Sequence, residues 1–371
     1  MKFLHTADWH IGMKAAHAPA AAQRLRDERL AAARRVVEVA AEHQVDFLLL
    51  AGDTFENNGI NRTDVRRVAL ALAEFKGPVY LVPCNHDPLV PGSVWEHPCW
   101  TEHENLHVLR AAEPVAVPGG RLYPCPVFTK HATADPTAWI DARADAEIAV
   151  GAAHGSVEGV PQDQPESPIP RDAAARRGLD YLALGHWHST VVSYDRMAYS
   201  GTHETTKFDE RDSGNVLLVE IAARGAVPRI TPIHTGGLSW LSLDEEIRDD
   251  GDLARVRQRI ETIDDPSRAL LNLSLRGMFH ADQRTELSRI EEIAAARDFL
   301  FHRIDSTGLF PAPKDDGWLA DLPVGPLRET ARRLQRWSDP ATTDQRPDGV
   351  TPQVATRALL DFYALWRGGQ G

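Results

Sequence analysis

The segment "LALGHWHST", residues 182–190, sets two histidines one residue apart where an apolar run ending in Gly185 stops being apolar. On an extended chain successive side chains alternate, so His186 and His188 are expected on one side and Trp187 on the other. Two imidazole nitrogens converging on one point suit a metal ion. Taken alone, such a pair caps a strand more often than it holds an ion. Its meaning depends on how the other strands end.

Four of them end in the same manner. "FLHTADWHIG" (3–12) closes the first strand with Asp8 and His10, again one residue apart. "DFLLLAGDTF" (46–55) closes the second with Asp53, and "VYLVPCNHDP" (79–88) closes the third with Asn85, His86 and Asp87. "EIAVGAAHGS" (147–156) closes a fourth with His154. Loops at the carboxyl ends of strands in an open α/β sheet share one rim, where such folds bind ligands. Singly these residues have ordinary readings: Asn85 in a turn, His154 partly buried, Asp53 capping a helix. Five successive strand ends make the joint reading the stronger one. Asp8, His10 and His188 would hold one ion, Asn85, His154 and His186 a second, and Asp53 would bridge them. Two ions roughly 3.5–4 Å apart clamp phosphoryl oxygens and activate a water for in-line attack. Mixed imidazole, carboxylate and amide donors suit Mn²⁺, or else Fe²⁺ or Zn²⁺, better than a pure oxygen site suits Mg²⁺.

The chain of 371 residues is long enough for two domains, or two and an appendage. Up to about residue 235, short apolar β-type runs alternate with helical stretches, the pattern of a layered α/β fold. Expected strands are Lys2–Thr6, Asp46–Ala51, Val79–Pro83, Ile148–Ala152, Tyr181–Leu184, Ser193–Tyr199 and Val216–Ile221, with helices at Gln23–His43 and Arg62–Phe75. A polar, proline-rich loop is expected at 157–170. We place a phosphoesterase-type domain at 1–237, a small α+β unit at 238–310, and a linker with two helices at 311–371. Thr351-Pro352 reads as a cap and first turn of the last helix.

No apolar run is long enough to span a membrane, and Asp8 interrupts the N-terminus before a leader-like apolar core could form. The three cysteines, Cys84, Cys99 and Cys125, have no paired or metal-type spacing. We therefore expect a cytoplasmic protein with reduced thiols. The net charge of −12 argues against a broad basic surface for nucleic acid. Any grip on DNA must be local, metal-assisted or supplied by a partner.

The motifs Asp-x-His, Gly-Asp, Asn-His-Asp, a lone His and Gly-His-x-His, in this order, resemble those of the calcineurin-like metallophosphoesterases over about residues 1–235. "LHTADWHIG" (4–12) and "YSGTHETTKFDERDSGNVLLVEI" (199–221) are more specifically similar to the double-strand-break repair nucleases, the group of the bacterial SbcCD nuclease subunit. The resemblance implies a layered β-sandwich flanked by helices, followed by a small α+β capping domain and a C-terminal helical tail. It places Asp8, His10, Asp53, Asn85, His154, His186 and His188 on ligand positions, and His86 against the scissile phosphate, helping to expel the 3′ oxygen. Asp87 would orient His86 or stabilise the turn. Cys84 stands where the family usually has glycine, and Glu56 is either a solvated loop carboxylate or a support of the ligands. The implied activity is a 3′–5′ exonuclease, with endonuclease action beside it, in repair, recombination or end processing. The implied partners are DNA and an SbcC-like coiled-coil ATPase docking on the tail helices, whose alternative is ordinary packing on the core. A homodimer is left open. Two rival readings are a phosphodiesterase for small or non-nucleic-acid phosphoesters and a scaffold with a vestigial metal site.

Overall fold

The computed structural model describes residues 1–130, 132–159, 167–249 and 251–369, and the chain divides into two compact units, Met1–Leu238 and Ser239–Gly371. The first unit contains, in order, β1 (Lys2–Thr6), α1 (Ala22–Glu42), β2 (Phe47–Leu50), α2 (Arg62–Ala73), β3 (Val79–Leu81), β4 (Leu106–Val108), β5 (Val115–Val117), β6 (Gly120–Pro124) and β7 (Ile148–His154). It continues with α3 (Ala173–Arg177), β8 (Tyr181–Gly185), β9 (Val191–Tyr194), β10 (Met197–Tyr199), β11 (Asn215–Glu220) and β12 (Arg229–His234).

These strands form two six-stranded sheets, ordered β12-β11-β1-β2-β3-β4 and β5-β6-β7-β8-β10-β9. The central strands β1 to β4 are parallel, as are β6, β7, β8 and β10; antiparallel strands lie towards the edges. Parallel strands covered on both faces read as continuous apolar runs, which explains "FLLL" in β2. Alternation divides those runs between two cores. Leu4, Leu48, Leu50 and Leu81 pack with Val36 and Ala40 of α1 and Val68 and Leu72 of α2. Phe3, Phe47, Leu49 and Tyr80 pack with Val150, Tyr181 and Ala183 of the second sheet. Beyond that sheet, Leu182, Leu184 and Tyr199 cluster with Ala173 and Ala174 of α3. The result is the layered α/β sandwich flanked by helices that the sequence predicts. Phe3 and Phe47 stack at 4.7 Å between centroids, and burial of each such side chain is worth about 1.5–3 kcal/mol.

This layering corrects the single-rim expectation. β1, β2 and β3 belong to one sheet and β7 and β8 to the other, so the candidate ligands gather where the carboxyl ends of two packed sheets meet. Residues 193–199 form no single strand either: β9 and β10 are a hairpin turned at Asp195-Arg196. Strands β4 and β5 escape the sequence pattern because each has only three residues with partly exposed positions, unlike the wholly buried β3, and β12 because it carries Pro232 and alternates with exposed positions. Of the loop expected at 157–170, residues 160–166 lie outside the described residues; Val157 and Ile169 pair in parallel at its ends.

In the second unit, β13 (Ser239–Ile247), α4 (Asp252–Glu261), β14 (Ala269–Phe279), α5 (Arg284–Ala296) and β15 (Phe301–Pro311) make a three-stranded parallel sheet with two crossover helices. Leu243, Leu271 and Leu273 pack there with Val256, Ile260 and Ile290. β15 runs on to Pro311 in register with β14, one residue into the segment expected as a linker. α6 (Pro326–Ser338) and α7 (Pro352–Gly368) follow, with the Thr351 hydroxyl accepting from Val354 N–H at the start of α7. Ala331, Leu334, Leu359, Phe362 and Trp366 close over Trp318. Leu327 and Leu365 of the same helices remain 50% and 78% exposed. Among the described residues no helix is long and apolar enough to cross a membrane.

Candidate metal centre

The backbone at the strand ends is bent where the functional side chains leave it. Asp8 (φ 55°), His10 (φ 42°), Asp53 (φ 48°) and His186 (φ 104°) all occupy positive φ, which is uncommon for residues other than glycine. Such conformations cost about 1–3 kcal/mol each and persist where the surroundings over-determine them. Here Asp8 N–H donates to the Gly52 carbonyl and His10 N–H to the Asp53 carbonyl, both at 3.0 Å. The bend at His186 also corrects the period-two argument, because the chain is no longer extended there. His186 and His188 reach different neighbours. The His186 ring lies against His154, with centroids 5.4 Å apart, and the backbone N–H of His186 donates to both oxygens of Asp8 at 2.9 and 3.1 Å. His188 Nε2 lies 3.1 Å from His10 Nε2.

That last pair carries a chemical test. His10 Nδ1 donates to Glu56 Oε2 at 3.0 Å, and His188 Nδ1 donates to Glu210 Oε1 at 2.8 Å. A carboxylate on Nδ1 places the proton there and turns the Nε2 lone pair outward. Two lone pairs facing at 3.1 Å repel unless a proton or a cation lies between them, and a divalent cation fits this donor set. Burial pushes His10 below the usual imidazole range more than Glu56 and Asp53 raise it. At His188, despite burial, Glu210 and Asp8 prevail and hold the ring above that range.

A second group repeats the logic. His154 Nδ1 donates to the Ala51 carbonyl at 3.1 Å, while Nε2 lies 3.0 Å from Asp53 Oδ2. The same Asp53 oxygen is 3.8 Å from His10 Nε2, so this carboxylate stands between the two groups. Its other oxygen accepts from His86 N–H at 3.2 Å. Donor atoms of Asp8, Asp53 and His154 lie within 4.8 Å of one another, and so do those of His10, Glu56 and His86. Burial alone would raise Asp53, but His154 and His10 outweigh it and hold the carboxyl well below its ordinary range. Asp8, His10, Asp53 and His154 are buried, whereas Asn85, His86, His186 and His188 are half-buried. The cluster therefore has a floor and an accessible side. Asn85 sits on the turn after β3, between Cys84 and His86.

Close approach at this floor depends on glycine. A Cβ on Gly52 (φ 100°) would lie 2.1 Å from Cys84 Sγ and 2.5 Å from His154 Nδ1. One on Gly185 would lie 2.3 Å from the Ala51 carbonyl. Cys84 itself fits because its side chain fills the space beside Gly52, and burial pushes the thiol up to about 12. It is no nucleophile. Asp87 does not orient His86: its two oxygens accept from Cys84 N–H and Phe55 N–H, each at 2.9 Å. Of the two roles expected for it, it takes that of fastening the turn. His86 Nδ1 donates to the Glu56 carbonyl at 3.0 Å.

The sequence model of one protein family, described as calcineurin-like phosphoesterase, matches residues 1–190, more than half the chain and a span that includes all seven candidate ligands. The chain belongs to the calcineurin-like phosphoesterases. Members of this family use a dinuclear metal site, and the candidates for it here lie on either side of Asp53, His10 with His188 on one and His154 on the other, with Asp8 beside them; Glu56, which also groups with His10, is held on its Nδ1. The chain is also 29% identical, over 241 residues, to the uncharacterized metallophosphoesterase YhaO of Bacillus subtilis (strain 168). That match covers 60% of this chain and 57% of YhaO, so the chain spans little more than half of that relative's length. Among solved structures it is similar to the crystal structure of TT1561 of Thermus thermophilus, with 10% identity, a TM-score of 0.41, and coverage of 63% of this chain and 98% of that one.

Several supports of the phosphoesterase site are absent from the motif reading. Glu56, left open there, holds His10. Glu210 and Thr206 hold His188. Arg29 of α1 is buried and donates to the carbonyls of Trp9, Glu204 and Asp8, tying the Asp8–His10 bend to the loop after β10. A signal for Arg29 existed, since it falls on the stripe of Leu25, Ala32 and Val36 that faces the core. Glu210 sits in a run of charged residues, "KFDERD", with nothing to single it out.

Proposed function

We propose that this phosphoesterase is a two-metal DNA nuclease of the SbcD-like group, cleaving phosphodiester bonds as a 3′–5′ exonuclease and also as an endonuclease. The observation that carries the reading is the position of Asp53 between two histidine-rich donor groups at the meeting of two sheets. Asp8, His10 and His188 would hold one ion, Asn85, His154 and His186 the other, and Asp53 both. When bound, such ions polarise phosphoryl oxygens and make water a nucleophile near neutral pH. Mn²⁺ is the first choice for this donor set.

The chain's own residues complete the chemistry. His86 donates from Nδ1 to a carbonyl, so Nε2 is the nitrogen left for the substrate. Protonated there, it gives a proton to the departing 3′ oxygen. The buried floor excludes water from the sides of the donors facing the core, and the half-buried side admits the phosphodiester. The similarity of residues 199–221 to the repair nucleases and the additional second unit favour a polymeric substrate. The exposed Leu327 and Leu365, beside an apolar groove lined by Pro323, Phe362 and Trp366, are where we place an SbcC-like ATPase. That partner would supply the basic DNA surface a chain of net charge −12 lacks.

The test is end-labelled duplex DNA with Mn²⁺, comparing wild type with Asp53→Ala, with and without the ATPase. Processive end degradation lost in the variant supports the nuclease. Hydrolysis of only a chromogenic diester moves the assignment to small phosphoesters.

A further inference from the structure

We propose that Glu210, seated by Thr206, is the positioning residue for His188, fixing its ring with Nε2 turned toward His10. The inference rests on the two-metal reading of the site and is independent of the substrate's identity. His188 needs such a partner: it lies beyond the end of β8, after the left-handed bend at His186, and its side chain is 29% exposed. A ring so placed has rotamers to explore, and an ion bound by a wandering ligand is bound weakly.

Glu210 is built to prevent this. Its side chain is only 3% exposed, although it comes from a loop rich in charge. Oε2 accepts from Thr206 N–H at 2.7 Å, and Oε1 accepts from both the Thr206 hydroxyl and His188 Nδ1. The carboxylate is thus oriented by Thr206 independently of the histidine. A buried carboxylate without such donors would be costly; here they also aim it. Its neighbours in sequence are not alternatives, for Asp209 (φ 68°) and Asp212 (φ 51°) take left-handed bends that flank the inward turn. The loop is fixed at both ends, by Arg29 Nη1 on the Glu204 carbonyl at 2.9 Å and by Thr205 with Ser213 at 2.9 Å. Glu56 does the matching task for His10 from the other strand end, with a side chain 33% exposed. Glu210 is the more enclosed of the two supports.

The experiment titrates Mn²⁺ alone into the full-length protein, by calorimetry and by electron paramagnetic resonance of free Mn²⁺. Wild type should bind two ions. Glu210→Ala should weaken one of them about 10–100-fold and leave the other unchanged. Glu210→Gln keeps an acceptor facing Nδ1 and should recover most of the loss. An Ala variant that binds both ions as wild type does overturns the inference, as does a Gln variant as weak as Ala, which would assign the effect to charge. Wild type binding no pair of ions would sink the dinuclear reading and this inference together. Should Glu210→Ala fail to fold, nitrogen-15 spectra of histidine-labelled, Zn²⁺-loaded wild type decide the matter. His188 should carry its proton on Nδ1; a proton on Nε2 overturns the proposal.

Discussion

His154 Nε2 faces Asp53 Oδ2 at 3.0 Å while His154 Nδ1 is committed to the Ala51 carbonyl at 3.1 Å. The nitrogen that would ligate an ion is therefore the one that shares a proton with Asp53 when no ion is bound. Burial opposes a charged His154, but Asp53 outweighs it and holds the ring well above the ordinary imidazole range. Metal binding must displace that proton. We predict that Mn²⁺ affinity rises with pH until the raised value of His154 is passed, with protons released on binding in calorimetry across buffers of different ionisation enthalpy. A flat profile without proton release would contradict the arrangement.

The same pair makes its own pH-dependent contribution to the stability of the metal-free protein. His154 has a raised folded-state value, so its contribution is complete below about 6.5 and fades as pH rises through the raised value. Asp53 has a lowered one, so its contribution is present above about 3.9 and lost as pH falls through the depressed value. With chelator present, the stability that wild type holds over Asp53→Asn in urea should be greatest in mildly acidic solution and shrink as pH rises through the raised His154 value.

Gly52→Ala should be among the most damaging single-methyl changes in the protein. It adds overpacking against Cys84 and His154, about 1–3 kcal/mol, to the strain of a side chain at φ 100°, another 1–3 kcal/mol. Gly92 also has positive φ (79°), but a Cβ added there would meet no atom within 4 Å. Gly92→Ala should cost only the left-handed strain, about 1–2 kcal/mol. Urea unfolding of the two variants in chelator tests the difference, and equal losses would mean that the close approach at Gly52 does not constrain the fold.

Much of this was legible in the chain because strand ends concentrate chemistry. The apolar runs at Phe47–Leu50 and Tyr181–Gly185 mark strands covered on both faces, and each leads within a few residues to a donor side chain. Periodicity does not say which strands share a sheet, so β1 to β3 and β7 to β8 read as one rim when they belong to two. Nor does extended geometry survive past Gly185, where His186 turns to φ 104°. Asp87 illustrates a different limit: its neighbour in sequence is His86, but its hydrogen bonds go to backbone N–H groups of Phe55 and Cys84. The supports, Arg29 and Glu210, come from a helix and a loop remote in sequence from the ligands they hold, and only the fold brings them there.

Arg29 offers a test of that support. Burial pulls its guanidinium down to about 10, still charged at neutral pH, and its partners include three backbone carbonyls. Arg29→Lys keeps the charge but lacks the fork that reaches Trp9 and Glu204 together. Each buried carbonyl left unsatisfied costs about 1–3 kcal/mol, so the variant should lose at least about 2 kcal/mol in urea unfolding. Mn²⁺ affinity should fall with it, because the Asp8–His10 bend is no longer held. A variant as stable as wild type would show that the carbonyls find other donors.

The cysteines close off an alternative chemistry. Burial raises Cys84 and Cys125 to about 12 and Cys99 to about 11, and all three side chains are enclosed. The thiolate, which is the reactive form, is therefore scarce at physiological pH, and reagents cannot reach it. Native protein at pH about 8 should take up almost no thiol reagent over the time in which denatured protein labels all three positions. Cys84→Ala should retain phosphoester hydrolysis, since the residue packs beside His154 without donating to the reaction. Rapid labelling of Cys84 in the native state, or hydrolysis abolished in a folded Cys84→Ala protein, would return the thiol to the list of reacting groups.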